Sequence, residues 1–197
     1  GVAIIESDHP NFGANAGKIP AVRSAVQDVV VQFDLAEAKE EVQADFANPP
    51  ASGDNDAFFD FQWGHAAIDA AGAWNAGYRG QGATVAVLDS GVFCQHVDIA
   101  PNLSAAKSAS FVEGQNHCNA VGTSTHGTHT MGTIGAADNG IGTIGVAPQA
   151  ELIAVKVLNP ATGSGSFAAI IQGIVYAADA GADVINMSLG IRHTGGG

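Results

Sequence analysis

The stretch ATVAVLDSGV, residues 83–92, decides the fold. Val85 to Leu88 form an apolar run without polar alternation, which is typical of a strand buried on both faces of a parallel sheet. Asp89 and a Ser-Gly turn follow directly. Because functional side chains of open α/β sheets lie at the carboxyl ends of the strands, Asp89 is a candidate site residue. The alternative is an ordinary turn or capping aspartate.

Strand and helix patterns alternate around this stretch from residue 62 onward. Residues 66–77 predict a short helix, and a loop of about 35 residues leads to a second helix that begins near His126. The next segments predict a strand in 151–158, a helix in 166–181 and a strand in 183–189. Strands joined by helical crossovers predict a three-layer α/β fold with a parallel sheet.

The first third of the chain differs in composition from the rest. Residues 1–33 predict a strand, a helix and a second strand, which together form a small α+β unit. Residues 34–60 hold eight acidic residues against one lysine, with Pro49, Pro50 and Gly53. This composition is typical of a solvated linker. We therefore expect a domain at 1–33, a linker at 34–61 and a second domain at 62–197.

Charge and hydropathy exclude two classes of partner. Seven basic against 19 acidic residues give a net charge of −12, which repels nucleic acid and anionic lipid surfaces. No apolar run approaches the roughly 20 residues that a membrane helix requires. The hydrophobic fraction of 46% is sufficient for a globular core. We expect no nucleic acid partner and no membrane partner.

The segment HGTHTMGTIGA, residues 126–136, places His126 and His129 on one face of the predicted helix. A metal site is one interpretation, but helical zinc motifs place a glutamate beside the first histidine and a spacing of four. This sequence has Gly127 and a spacing of three. We expect His129 to be a buried, hydrogen-bonded structural residue. Taken alone, His126 also fits a structural role.

The joint pattern resembles the subtilisin-like protease (subtilase) family. Its blocks, in order, are VAVLDSGV (85–92), HGTHTMGTIGA (126–136), GVAP (145–148), AVKVL (154–158), GSGS (163–166) and DVINMSLG (183–190). The resemblance implies an incomplete three-layer subtilisin-like fold and serine endopeptidase activity, with Asp89 as the catalytic aspartate and His126 as the catalytic histidine. A serine hydroxyl needs such a base to attack a peptide carbonyl, and the carboxylate orients the imidazole.

The same resemblance implies two substrate-binding segments that hold an extended peptide by strand addition. One is Gly163, Ser164 and Gly165, whose alternative is a flexible loop; the other, Ser188, Leu189 and Gly190, would form the floor of the primary specificity pocket.

A structural calcium site is also implied by the resemblance. The expected ligands are oxygen atoms of the side chains and carbonyls of Asp56, Asp98, Ala137, Asn139, Ile141 and Thr143. Solvated loop acids are the alternative.

Residues 1–33 resemble the carboxyl half of a subtilase propeptide. This implies that they act as an intramolecular chaperone and inhibitor, with a maturation cleavage in the linker, between Phe46 and Phe61. By count alone, Cys94 and Cys118 suit one disulfide or two buried thiols. With the resemblance, we expect a disulfide and a secreted, monomeric protein that acts on protein or peptide substrates.

The sequence departs from the family pattern at its carboxyl end. The family's G-T-S-x-A nucleophile block and its oxyanion-hole asparagine have no counterpart here, and Ser188 belongs to the substrate-binding segment. We therefore expect an amino-terminal fragment of a longer protease that is inactive alone. The alternative is a complete, non-catalytic peptide-binding or inhibitory protein that retains half of the fold.

Overall fold

The computed structural model describes residues 1–33 and 54–190. The helices are α1 (Phe12–Ala16), α2 (Trp63–Ala67), α3 (Ala70–Asn75), α4 (His126–Gly135) and α5 (Phe167–Asp179). The strands are β1 (Val30–Gln32), β2 (Thr84–Asp89), β3 (Ala109–Ser110), β4 (Glu151–Lys156), β5 (Ser164–Ser166) and β6 (Val184–Asn186).

A four-stranded parallel sheet in the order β3-β4-β2-β6 forms the centre of the fold. Every residue of β2 is buried, in agreement with its unbroken apolar sequence. β2 and β4 pair in register from Thr84 opposite Glu151 to Asp89 opposite Lys156. Asp89 and Lys156 are therefore neighbours at the carboxyl edge of the sheet.

Helices cover both faces of this sheet. On one face, Leu88 and Val155 pack with Ile170 and Ala177 of α5. On the other face, Val87 and Leu152 pack with Met131 of α4. Each buried aliphatic side chain of this kind contributes about 1.5–3 kcal/mol. The three-layer α/β fold predicted from the sequence is confirmed.

The amino-terminal residues form less structure than the sequence predicts. Residues 1–7 are exposed and form no strand, so the predicted strand-helix-strand unit reduces to α1 and β1. A strand needs a partner for its backbone groups, and β5 is the partner that β1 has. Residues 1–7 have no such partner among the described residues.

The predicted helix at 66–77 is divided in two. Asp69 separates α2 from α3 and has a left-handed backbone, with φ of 53°, and its side chain accepts a hydrogen bond from the Gly72 N–H. The aspartate therefore caps α3 instead of continuing α2.

Most of the acidic linker lies outside the described residues, and so does the first half of the segment 46–61 in which we expect the maturation cleavage. None of the helices in the described part of the chain is both long and apolar enough to cross a bilayer.

Candidate active site

Asp89 and His126 meet at the carboxyl edge of the sheet. Asp89 ends β2 and His126 begins α4, and Nδ1 of His126 lies 2.8 Å and 2.9 Å from the two carboxylate oxygens. The carboxylate side chain is 2% exposed and the imidazole 13%. Because a carboxylate only accepts hydrogen bonds, this contact places the ring proton on Nδ1 and leaves Nε2 as the basic nitrogen.

Two serines hold the backbone around this pair. Ser90 N donates to Asp89 Oδ1 at 2.6 Å, and Ser90 Oγ accepts from Gly127 N. Ser124 Oγ accepts from His126 N at 3.3 Å. Ser124 belongs to the run of serine and threonine residues before His126, which is a usual signal for the start of a helix, whereas the role of Ser90 was not predicted. These contacts restrict the rotation of both members of the pair.

Two glycines allow β2 and α4 to approach closely. Gly91 has a φ of 89°, and a side chain at Gly127 would overlap the Gly91 carbonyl oxygen. Glycine is required at both positions, at Gly91 by its backbone conformation and at Gly127 by the space available.

Cys94 and Cys118 form a disulfide between the two loops that flank the pair. Their Cα atoms are 5.4 Å apart, and 24 residues separate them. Backbone hydrogen bonds from Val92 N to His117 O and from Asn119 N to Val92 O run beside the bridge. The loop after Asp89 and the loop before His126 are therefore joined by both covalent and hydrogen bonds.

His129 lies on the exposed side of α4, and the expectation of a buried structural histidine is wrong. A spacing of three along a helix rotates a side chain by about 60° from the first position. That rotation carries His129 from the covered side of α4, where His126 lies, toward solvent.

The two predicted substrate-binding segments differ in burial and in secondary structure. Gly163 and Gly165 are buried, and Ser164 belongs to β5, which pairs antiparallel with β1. Ser188 and Gly190 are exposed, and Leu189 packs against the core. The Ser188 hydroxyl accepts a hydrogen bond from Asn186 Nδ2 at 2.9 Å.

β1 and its neighbours contact β5 through backbone and side chains. Phe33 N donates to Gly163 O at 3.0 Å, and the Phe33 side chain, 5% exposed, joins the core cluster that contains Val157 and Leu158. Asp28 Oδ1 accepts from Ala168 N at the start of α5. The sequence analysis assigned no contact role to Asp28 or Phe33, because their partners lie more than 120 residues away.

The predicted calcium ligands converge near the loop 137–143. Asp56 is fully buried and Asp98 is 2% exposed. Asn139 links them, since its backbone N–H donates to Asp56 Oδ1 and its Nδ2 to Asp98 Oδ1. Thr143 N donates to Asp98 Oδ2 at 3.0 Å, and Ala137 N donates to the Asp98 carbonyl. Ile141 N donates to Asn139 Oδ1.

The donor set fits a hard cation. Asp56 Oδ2 is buried without a hydrogen-bond partner, and burial raises the pKa of Asp56 to about 7, a rise to which neighbouring Asp54 adds. The carboxylate oxygens of Asp54, Asp56 and Asp138 lie within 4.8 Å of one another. Asp54 and Asp138 were not predicted, although the acidic run at 54–56 was a possible signal. Carboxylate, amide and carbonyl oxygens are the ligands that calcium prefers.

Comparisons with known proteins agree with this geometry. Residues 80–197 match the model of the subtilase family. Subtilisin E of Bacillus subtilis (strain 168) is 47% identical over 128 residues, or 65% of this chain and 32% of its own length. Subtilisin Savinase of Lederbergia lenta is 46% identical over 128 residues and 45% of its length, and Subtilisin DY of Bacillus licheniformis is 46% identical over 114 residues and 39% of its length. The chain thus spans less than half the length of these relatives, and it belongs to the subtilase family.

Proposed function

We propose that the protein containing this chain is a serine endopeptidase in which Asp89 and His126 are two members of the catalytic triad. The observation that supports this proposal is the hydrogen-bonded pair of Asp89 and His126 at the carboxyl edge of the sheet. Nε2 of His126 takes the proton of the serine nucleophile during attack on the peptide carbonyl and returns it to the leaving amine. Asp89 orients the ring and stabilises the imidazolium that forms.

In this proposal the nucleophile is a serine of the longer protein, at a position after residue 197. Ser90 and Ser124 lie beside the pair, but both are buried and both accept backbone hydrogen bonds. The relatives are two to three times as long as the matched segment, which leaves room for the missing block. Residues 1–197 alone then supply a base and its carboxylate but form no acyl-enzyme.

We propose that the β5 edge binds the substrate backbone and that residues 188–190 contribute to the specificity pocket. The support is that β1 of the same chain already pairs antiparallel with β5 over three residues. The pairing uses main-chain groups, so it accepts many sequences, and neighbouring pockets select side chains. Extended polypeptide is therefore the substrate class.

Residues 1–33 are proposed to act as the protein's own inhibitory propeptide. β1 occupies the same edge that a substrate strand needs, and Phe33 belongs to the core cluster that contains Val157, whose N–H donates to the Asp89 carbonyl. A substrate strand and β1 cannot pair with β5 at the same time.

The disulfide between Cys94 and Cys118 supports an oxidising, extracellular location for the protein.

We propose that Asp56, Asp98 and Asn139 hold a structural calcium ion with carbonyls of the 137–143 loop. In the longer protein that contains this chain, called the parent protein below, a chelator should lower the melting temperature. The reason is that a cation at 100 times its Kd stabilises the fold by about 2.7 kcal/mol. Asp98→Asn should abolish this chelator effect. Asp60→Asn, at an exposed acid nearby, is the matched control and should retain it. A chelator effect that survives Asp98→Asn refutes the site.

The activity is tested with a fluorophosphonate probe and casein. The parent protein should be labelled at one serine and should cleave casein, whereas residues 1–197 should do neither. A parent that binds casein without labelling or cleavage would favour the alternative, a non-catalytic peptide-binding protein. Labelling of Ser90 or Ser124 in the 197-residue chain would refute the assignment of the nucleophile.

A further inference from the structure

Lys156 is a buried lysine that the proposed mechanism does not use. It ends β4 and is 2% exposed. Its Nζ donates to Gln115 Oε1 at 3.3 Å, and no carboxylate lies within ion-pair distance of it in the part of the chain that the structure describes. Burying an ammonium group without an ion pair costs several kcal/mol. Other interactions of the folded protein must offset that cost.

Lys156 lies directly beneath the turn that follows Asp89. It is the register partner of Asp89 across β2 and β4, so both side chains leave the sheet on the same face. A side chain at Gly91 would overlap Cε of Lys156 and would lie 2.7 Å from Asn119 Oδ1. On its opposite side the Gly91 carbonyl meets Gly127 of α4. The turn is thus held between the lysine and the helix that carries His126.

The loop around the ammonium group also leads to His126. Asn119 Oδ1 is buried without a hydrogen-bond partner, and Asn119 Nδ2 donates to the Ser124 carbonyl. Ser124 Oγ in turn accepts from His126 N. Asn119 therefore connects the surroundings of the lysine chain to the segment that precedes His126.

We propose that Lys156 is a positioning residue of the Asp89–His126 pair, acting through its support of the turn at Gly91 and through its buried positive charge. This inference rests on the proposed function. Among the titratable groups, Asp89 on β2 is the register partner of Lys156, and His117 lies near the lysine on the loop between β3 and α4. Burial, and then the nearby charge of Lys156, lower the pKa of His117.

The sign of the effect follows from the two charges. The negative charge of Asp89 favours the imidazolium of His126, and the positive charge of Lys156 opposes it. Removing the lysine charge should therefore move the acidic limb of kcat/KM in the parent protein to higher pH.

The test compares variants of the parent protein across pH. Lys156→Met keeps most of the packed chain and should move the acidic limb upward by about half a pH unit or more. Lys156→Arg retains the charge and should restore the limb. Gln115→Glu introduces an opposing charge at a half-buried position, and should move the limb upward even if Lys156→Met does not fold. Lys107→Met, at an exposed lysine, is the control and should change nothing.

The ring resonances of His126 are followed across pH in the same variants. They report on the pair whether or not the protein hydrolyses peptide. If the resonances shift as expected while the probe labels no serine, the proposed function fails and the role of Lys156 stands. If neither the limb nor the resonances move in Lys156→Met or Gln115→Glu, or if Lys156→Arg behaves as Lys156→Met, the lysine is a packing residue only and the inference is wrong.

Discussion

The Asp89–His126 corner and the amino-terminal segment 1–33 contact the same sheet in different ways. The corner is built from the ends of β2 and α4, closed by a disulfide and by serine hydrogen bonds. The segment is exposed along most of its length and is held by β1, Phe33 and Asp28. The first arrangement favours a fixed geometry for chemistry, whereas the second favours an interaction that can be released.

The largest expected effect is at the corner. In the parent protein, His126→Ala or Asp89→Asn should lower kcat/KM by about 10⁴-fold, because the serine loses its base or the base loses its orientation. Initial rates on a chromogenic peptide measure this loss. His129→Ala, on the exposed side of the same helix, is the matched control and should retain activity. A loss of less than tenfold in both variants would contradict the assignment.

The next effect is on the segment. Residues 1–33, added as a separate peptide, should inhibit the mature parent protein, and Phe33→Ala should raise the inhibition constant by about 100-fold or more, because deleting a buried phenylalanine ring costs about 3–5 kcal/mol. Val26→Ala, at a residue that is 89% exposed, should leave inhibition unchanged. Equal effects of the two substitutions would show that Phe33 does not anchor the segment.

A third effect separates the two regions. Replacing both Cys94 and Cys118 by serine should destabilise the parent protein by about 3 kcal/mol, as expected for a loop of 24 residues. Urea unfolding measures the change. Inhibition by residues 1–33 should be altered far less, because the bridge joins loops at the corner and makes no part of β5. If the substitution leaves unfolding unchanged, the bridge does not constrain the corner.

The two regions also differ in how far the sequence predicted them. The unbroken apolar run before Asp89 and the helix at His126 are local signals from which the fold class could be predicted, whereas the pairing of these two residues was predicted from the family resemblance. β5 has three residues and its pairing with β1 crosses more than 130 positions, so no local pattern indicates it. The apolar residues 2–5 suggested a strand, but a strand depends on a partner that propensity does not reveal.

The candidate site shows the same limit. Asp56 and Asp98 were predicted as ligands from the family pattern, whereas Asp54 and Asp138 approach Asp56 only through the folded loops. Lys156 did carry a local signal, since a lysine inside the apolar run AVKVL must be buried if the strand is. Its relation to Asp89 depends on strand register, which the sequence does not specify by itself.

The smallest expected effect concerns the contact of Asp28 with helix α5. The first N–H groups of a helix lack intrahelical partners, and Ser166 Oγ accepts from Ala169 N while Asp28 Oδ1 accepts from Ala168 N at 3.0 Å. Asp28 also places a negative charge at the positive end of the helix dipole. Asp28→Ala in the 1–33 peptide should therefore weaken inhibition by about fivefold, corresponding to about 1 kcal/mol for a lost capping interaction.

Two variants divide this effect into its components. Asp28→Asn keeps an acceptor oxygen without the charge and should lose only part of the affinity, and the remaining difference from the native peptide should shrink as salt is added, because screening reduces the interaction with the dipole. Asp8→Ala, at an exposed acid distant from α5 in the sequence, controls for net charge and should have no effect. If Asp28→Ala and Asp8→Ala weaken inhibition equally, general electrostatic attraction accounts for the effect of Asp28, and its contact with the start of α5 contributes nothing to the affinity of the segment.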